Sequence, residues 1–305
     1  MSEPAIPDAS VCIATHRRPE GLGRLLRSLA EQVGAPSFEV IVVDNDAARS
    51  GEKTAREYGQ RLRLTYVVEP VRGIARARNR SVAAAAGAYV AFIDDDEWAT
   101  PGWLAELDRK ARESGADAVI GPVTIVFEAS VPAHVRAAAY FRRSDIGDGE
   151  PVPWHLTHTS NAYVRRSALP DARRPFDESF DLTGGEDSDL FRRMIKGGAK
   201  IVGATAAGVF EYRALRRANL RWLVRRALRN GANFAEMEWS EESLGRRLNL
   251  GRRAAWAALR FAAEGAFAWP RDKEKATEAF LRMGDRMGRF AGSLGLKIRE
   301  YRVHP

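Results

Sequence analysis

The chain has 305 residues, of which 45% are hydrophobic and 29% charged, with a single cysteine, Cys12, and a formal net charge of +8 at pH 7. That length and balance suit one large α/β domain with a smaller appendage and argue against long disorder. One cysteine excludes an intrachain disulfide and a Cys-based metal site, and fits a reducing compartment. The charge is uneven. Residues 1–212 hold 27 Lys and Arg against 30 Asp and Glu, whereas residues 213–305 hold 21 against 10. Met1-Ser2-Glu3-Pro4 shows no basic segment leading into an apolar core, so no signal peptide is expected. The longest weakly charged apolar run, Ala254 to Trp269, is interrupted by Arg260 and Glu264 and falls short of the ~20 residues a membrane span needs. A cytoplasmic protein without transmembrane helices is therefore expected.

In chain order, Val11–Ala14 reads as a short strand followed by the polar loop Thr15-His16-Arg17-Arg18-Pro19. Leu22, Leu25, Leu26 and Leu29 then recur at helical spacing from Pro19 to about Gln32. Phe38 to Val43 is a second strand ending in Asp44-Asn45-Asp46. A helix through Lys53–Tyr58 leads to a third strand, Leu64 to Val68. Arg72-Gly73 opens an Ala-rich helix that stops at Gly87, before the apolar run Tyr89–Ile93. Pro101 to Ser114 reads as a helix and Ala118 to Phe127 as one strand. Residues 128–157 read as an irregular loop, and Ala162–Val164 as a short strand. Gly184-Gly185 marks a tight turn into a helix running to about Lys196, Ala199 to Phe210 reads as one strand ending in Glu211, and the pattern is helical and basic from Leu220 to the C-terminus. Short apolar strands alternating with helices predict parallel βαβ units, whose loops after the strands share one edge.

The stretch Asp94-Asp95-Asp96-Glu97, directly after a buried strand, organises the reading. Four adjacent carboxylates repel one another, and a divalent cation removes the difficulty. Hard oxygen ligands at the carboxyl end of a strand suit Mg²⁺ or Mn²⁺, which then bridge to phosphate oxygens. An acidic turn that merely caps the following helix is the plainer alternative. Asp44 likewise has a reading as a turn former, Arg72 and Arg78 as part of a solvated helix face, and Glu186 and Asp187 as acids complementing a helix dipole. His16, His155 and His158 read as polar loop residues rather than ligands.

Taken together, Thr15–Pro19, Val42-Val43-Asp44-Asn45, Gly73 with Ala77-Arg78-Asn79, Phe92–Glu97 and Gly185-Glu186-Asp187 carry a resemblance. The chain resembles the inverting nucleotide-sugar glycosyltransferases of family two, with the glycosyltransferase A fold, and is most similar to bacterial enzymes that extend exopolysaccharide repeat units. The resemblance covers roughly residues 9 to 230. It implies a Rossmann-like, mostly parallel sheet flanked by helices over residues 1–215, followed by a basic helical extension, 216–305. It also implies that Thr15 and Asp44 line the uridine pocket and that Arg78, with Arg17 and Arg72, holds the nucleotide end. Asp94 would reach the ribose. Asp96 would be the main metal ligand, supported by Asp95 or Glu97, with Asp94 and Glu211 as further candidates for Mn²⁺ or Mg²⁺. Asp187 would be the base, with Glu186 beside it. A hexosyl or N-acetylhexosaminyl transfer to a glycan acceptor, carried on a polyprenyl diphosphate, is the implied reaction.

The chain departs from the wider family in two places. Glu211 stands where some relatives supply a histidine, and Ala218-Asn219-Leu220-Arg221-Trp222 lacks the glutamine of the processive Gln-x-x-Arg-Trp motif. The second departure, with no transmembrane helix, points to one sugar added per encounter. Two other classes compete. A sugar-phosphate nucleotidyltransferase would want a glycine-rich loop after the first strand, absent from Thr15–Pro19. A nucleic-acid-binding protein would not gather acids where the phosphate backbone must lie, so no nucleic-acid partner is expected. In the C-terminal part, Arg221, Arg225 and Arg229 recur at four-residue spacing, followed by Trp256, Phe261, Phe267 and Trp269. Such a basic, aromatic segment is a candidate for peripheral contact with an anionic membrane surface, or else packs inward with its arginines in water.

Overall fold

The computed structural model describes residues 5–141, 146–239 and 242–298. They fall into two compact units: Met1–Thr124 with Arg143–Asp181 and Glu186–Glu211, and Ile125–Arg142 with Leu182–Gly185 and Tyr212–Pro305.

The first unit is built on a seven-stranded sheet. Its first half alternates β1 (Ala9–Thr15), α1 (Pro19–Ala30), β2 (Phe38–Asp44), α2 (Glu52–Tyr58), β3 (Leu64–Val68), α3 (Ile74–Ala84) and β4 (Tyr89–Ile93). β1 and β2 are apolar almost without interruption because helices or other chain cover both of their faces. The strands β3, β2, β1 and β4 lie side by side and parallel. Thr15 is in register with Asp44, and Cys12 with Phe92, so the loops after β1, β2 and β4 leave the same edge.

The second half departs from simple alternation. After the short β5 (Glu97–Ala99) and α4 (Trp103–Ser114) come β6 (Ala118–Ile120), β7 (Val123–Phe127), then the single-turn α5 (Ala133–Arg136), which belongs to the second unit, and then β8 (Asn161–Arg165), α6 (Glu186–Lys196), β9 (Ile201–Gly203) and β10 (Val209–Arg213). β8 runs antiparallel between β4 and β6, so the sheet is mostly parallel, in the order β3-β2-β1-β4-β8-β6-β9. Two apolar runs expected to be single strands are each divided. Ala118 to Phe127 breaks at Gly121-Pro122, where proline has no N–H to donate and a side chain on Gly121 would come within 2.3 Å of Asn161 Nδ2. Ala199 to Phe210 breaks through the turn residues Thr205 and Ala206. In both cases the second piece joins a smaller sheet, in which β10 pairs antiparallel with β5. An apolar run alone cannot distinguish one strand from two in different sheets.

The second unit is helical, with α7 (Leu220–Trp239), α8 (Leu244–Ala268) and α9 (Lys273–Ser293). The expectation of helix as far as the C-terminus ends at Ser293 among the described residues, and residues 299–305 lie outside them. Residues 131–141, expected to be irregular loop, supply Val131, Val135, Ala138 and Phe141 to this unit's core with Leu223 and Leu281, while residues 142–145 lie outside the described residues. Arg221 and Arg225 are exposed, but Arg229 is buried, so the expected row of three arginines does not form one solvent face.

α7 and α9 approach closely because small residues meet at their crossing. Gly284, Gly288 and Gly292 recur every four residues on α9, and a side chain at Gly288 would sit 1.9 Å from the carbonyl oxygen of Leu228. Gly245, near the start of α8, has open space around it. Gly288→Ala should therefore destabilise the protein by an amount toward the upper end of the ~1–3 kcal/mol typical of overpacking. Gly245→Ala should raise stability by roughly 0.5–1 kcal/mol through helix propensity. Urea titrations followed by circular dichroism would check both, and a neutral Gly288→Ala would contradict the close approach.

Candidate active site

Three loops at the carboxyl edge of the first unit's sheet carry most of the polar residues singled out in the sequence. The loop after β1 turns sharply at Arg17, whose φ of 54° is unusual for a side-chain-bearing residue. Pro19 starts α1 one residue after Arg18. Gly21, in the first turn, brings this helix against the acid loop, since a side chain there would lie 2.4 Å from the carbonyl oxygen of Asp95.

The acids after β4 are held in different ways. Asp95 is buried and accepts from Thr15 Oγ1 at 2.8 Å and, more weakly, from the His16 N–H at 3.4 Å. Arg18 Nη1 donates to Asp95 Oδ1 at 2.7 Å and to Asp96 Oδ2 at 2.9 Å. Burial pushes the Asp95 carboxyl up to about 6, and Asp96 adds repulsion, against the opposing pull of Arg18 and Thr15. Burial also opposes the Arg18 charge, but Asp95 and Asp96 outweigh it and hold the guanidinium above its ordinary value.

Asp94 is the most open of the three, and its Oδ1 accepts from Arg78 Nη2 at 3.1 Å. Glu97 is fully buried. Its Oε2 accepts from the Asp94 N–H at 2.8 Å, and it lies directly across from Glu211 in the β5–β10 pair. Burial, then the charges of Asp94 and Glu211, drive its carboxyl well above the ordinary range.

The loops after β2 and β3 are tied together from below. Asp44 is buried, and its carboxylate accepts from the Gly51 N–H (2.6 Å), the Tyr66 hydroxyl (2.7 Å) and the Asp46 N–H (3.1 Å). In this conformation Asp44 is fully enclosed, with both carboxylate oxygens hydrogen-bonded. Asn45 Nδ2 donates to the carbonyls of Glu69 and Val71, and its Oδ1 accepts from the Gly73 N–H. Arg17 Nε reaches Asp46 at 3.2 Å, and His16 Nδ1 lies 2.8 Å from the Asn45 carbonyl oxygen. Arg72 is exposed. At Gly73 the need for glycine is space, because a side chain would collide with the carboxylate of Asp181, which also accepts from the N–H and Nε of Arg76.

α3 contributes the connection to the remaining acids. Arg78 is buried and its guanidinium joins two carboxylates, Asp94 through Nη2 and Glu186 at the start of α6 through Nη1. Gly184 and Gly185, with φ of 66° and 101°, form the turn before α6, a conformation that favours glycine. Asp187 is half-buried, and its Oδ1 accepts from the Ser188 N–H at 2.8 Å.

Thr15, Arg18, Asp95 and Asp96 thus form one hydrogen-bonded group and Asp94, Arg78 and Glu186 a second, adjacent through the Asp94-Asp95 backbone, with Asp187 next to Glu186 in the chain. Glu211 stands beside Glu97 instead. Arg18, Gly21, Asn45 and Asp181 were not singled out individually in the sequence. Pro19 following Arg18, and glycine one turn into an otherwise amphipathic helix, are the signals that would have found the first two.

Among the described residues no three His, Cys, Asp or Glu side chains form a ready-made metal cage. The donor set nevertheless fits a divalent cation, which in a nucleotide site would need only one or two carboxylates from the protein. The Arg18 guanidinium stands against Asp95 and Asp96 as a cation of the same sign would.

A mostly parallel sheet with an acid loop at the carboxyl edge of its central strand is the arrangement of the glycosyltransferase A fold. The chain belongs to glycosyl transferase family 2: the family model of that description matches residues 10–172. It is 34% identical over 304 residues to the succinoglycan biosynthesis protein ExoM of Rhizobium meliloti (strain 1021), covering 96% of this chain and 95% of that protein. It is 32% identical over 209 residues to a pre-mycofactocin glycosyltransferase of Mycobacterium tuberculosis, covering 66% of this chain and 42% of that one. Among solved structures it is similar in fold to S. aureus TarS 1-349 in complex with UDP, with a TM-score of 0.58 at 17% identity over 90% of each chain. It is similar also to a mannosyltransferase from Pyrobaculum calidifontis in complex with GDP-Man and Mn²⁺, with a TM-score of 0.58 at 20% identity over 95% of this chain and 74% of that one.

The raised carboxyl of Glu97 has a consequence for stability. Its carboxyl is raised in the folded state, so the unfolded chain loses this proton first as pH rises, and folding stability declines from the ordinary value of 4.5 upward toward the folded value. Glu97→Gln keeps the oxygen facing the Asp94 N–H and cannot ionise. It should melt above the wild-type protein near pH ~8, with the difference closing by pH ~4. Thermal denaturation across that range would check this, and parallel curves would show that folding does not raise the Glu97 carboxyl.

Proposed function

We propose that this glycosyltransferase moves a single sugar from a nucleotide diphosphate sugar, with UDP as the nucleotide, to a hydroxyl of a growing exopolysaccharide or cell-surface glycan carried on a polyprenyl diphosphate. The observation that carries this reading is the Arg78 guanidinium, which joins Asp94 after β4 to Glu186 at the start of α6. It links the acid loop on the donor side to the helix whose second residue, Asp187, is the candidate base. The name of the succinoglycan relative, which this chain matches nearly end to end, supports the acceptor class. The UDP and GDP-Man named for the structural neighbours support the donor class.

In this reading Asp96 and Asp94 would hold Mn²⁺ or Mg²⁺. When bound, the ion supplies Lewis-acid stabilisation of the charge that builds on the leaving group. Thr15 and Arg18 keep Asp95 fixed behind these ligands. Asp44 and Asn45 set the shape of the base-binding wall, with Arg17 and Arg72 at its rim. Asp187, partly open to solvent while Glu186 is committed to Arg78, accepts the proton of the attacking hydroxyl. One displacement with one base inverts the anomeric carbon, and no covalent nucleophile is needed.

Two substitutions separate donor binding from chemistry. Asp187→Asn should lower transfer by ~10²–10⁴-fold while UDP still binds. Asp96→Asn should remove the part of UDP affinity that depends on Mn²⁺ and leave the fold intact. Calorimetry with UDP in Mn²⁺ and in chelator, run beside turnover of a panel of UDP-, GDP- and dTDP-sugars, would check both. Equal UDP affinity in chelator and in Mn²⁺ would remove the metal from the reading, and near-normal turnover by Asp187→Asn would shift the base to Glu186.

A further inference from the structure

The second unit exposes an apolar face that its own core does not explain. Leu244, Trp256, Leu259 and Phe267 on α8 are 69%, 69%, 63% and 72% exposed, and Leu248 is half open. At 100° per residue these five side chains fall within roughly 140° of arc. The opposite side of the helix is the packed one: Gly251, Ala254, Ala258, Phe261, Gly265 and Ala268 are buried. α8 is thus covered on one side, against α9, and presents a second hydrophobic stripe outward along its whole length. A shallow groove of about 180 Å³ continues the stripe, lined by Leu248, Arg252, Trp256, Leu259, Phe290 and Leu294 among others. Contiguous exposed apolar surface of this kind marks an interaction site.

The charges around the stripe identify the partner. Leu244–Ala268 contains five arginines and one acid, Glu264. Arg252 lies within the stripe, and Arg246, Arg253 and Arg260 follow along its edge, all exposed. Arg271 stacks over the ring of Phe267 at 4.7 Å, and Lys273 lies 5.9 Å from the ring of Trp269, so the aromatic end of the helix is also ringed by cations. Among the described residues no helix is long and apolar enough to cross a membrane. An apolar stripe bordered by arginines is the pattern of a helix that lies in the plane of an anionic bilayer surface, with the aromatics at the acyl boundary and the guanidiniums among the headgroups.

We propose that the outward face of α8 docks this protein on an anionic lipid surface, through Leu244, Leu248, Trp256, Leu259 and Phe267, with Arg252, Arg253 and Arg260 as the headgroup contacts. The arginines of α7 are not part of it. The proposal does not depend on the glycosyl-transfer reading, because docking needs neither donor nor acceptor.

The test is co-sedimentation of the full-length protein with phosphatidylcholine vesicles and with vesicles containing ~30% phosphatidylglycerol, with Trp emission followed in parallel. The wild-type protein should bind the anionic vesicles at low salt, with a blue-shifted emission, and lose binding as salt rises. Arg252→Gln, Arg253→Gln and Arg260→Gln together should weaken binding about a hundredfold. Trp256→Ser with Phe267→Ser should weaken it at least about tenfold. All five positions are exposed, so circular dichroism should be unchanged. Arg221→Gln with Arg225→Gln should bind like wild type. Undiminished binding by both α8 variants, equal binding to neutral vesicles, or no vesicle binding would overturn the proposal. So would self-association that Trp256→Ser with Phe267→Ser disperses, because the stripe would then be a dimer contact. UDP-sugar turnover without vesicles, measured on the same preparations, keeps failure of docking distinct from failure of the enzymatic reading.

Discussion

Like charges gathered at one strand end repel, and the first unit is arranged around relieving that repulsion. Asp94, Asp95, Asp96 and Glu97 follow β4 directly, and Glu211 reaches the same place from β10. At the low effective dielectric of a partly buried site these carboxylates are tolerable only with cations or protons close by. Arg18 bridges Asp95 and Asp96, Arg78 answers Asp94, and the Glu97 carboxyl, buried beside Asp94 and Glu211, is raised toward its neutral form. The approach of α1 at Gly21, the burial of α3 and the pairing of β5 with β10 are the backbone arrangements that make those solutions available.

The same constraint separates the two acids at the start of α6. Glu186 turns inward to the Arg78 guanidinium and is buried, whereas Asp187 stays at the surface with a hydrogen bond from its own turn. Neighbouring residues of one helix point about 100° apart, so a turn that buries one carboxylate leaves the other outward. A chain with a single acid here would have to choose between holding Arg78 and remaining available to an acceptor.

In the second unit the controlling feature is close backbone approach. The glycines of α9 let it lie against α7 with almost no side chain between them. Phe261 packs inward while Trp256 and Phe267 do not. The apolar content that the sequence places in this region is therefore divided between a core and an outward stripe.

By itself the amino-acid sequence determined what depends on neighbours along the chain. The strands β1 to β4 and their helices were legible because apolar runs and leucine periodicity are local, and the ordered motifs marked the acid loop, Arg78 and the Gly184-Gly185 turn. Tertiary structure alone decided what depends on partners distant in sequence. The runs 118–127 and 199–210 each split between two sheets because Gly121-Pro122 and the 204–208 turn redirect the chain toward partners that periodicity does not reveal. Arg18 became the counter-ion of Asp95 and Asp96 across 77 and 78 residues. Asp44 lost its open oxygens to Gly51 and Tyr66. Arg229 went inside while Trp256 went outside. Burial is a property of the packed chain, and a residue's hydropathy states only its preference, which glycine-close helices and paired charges can override.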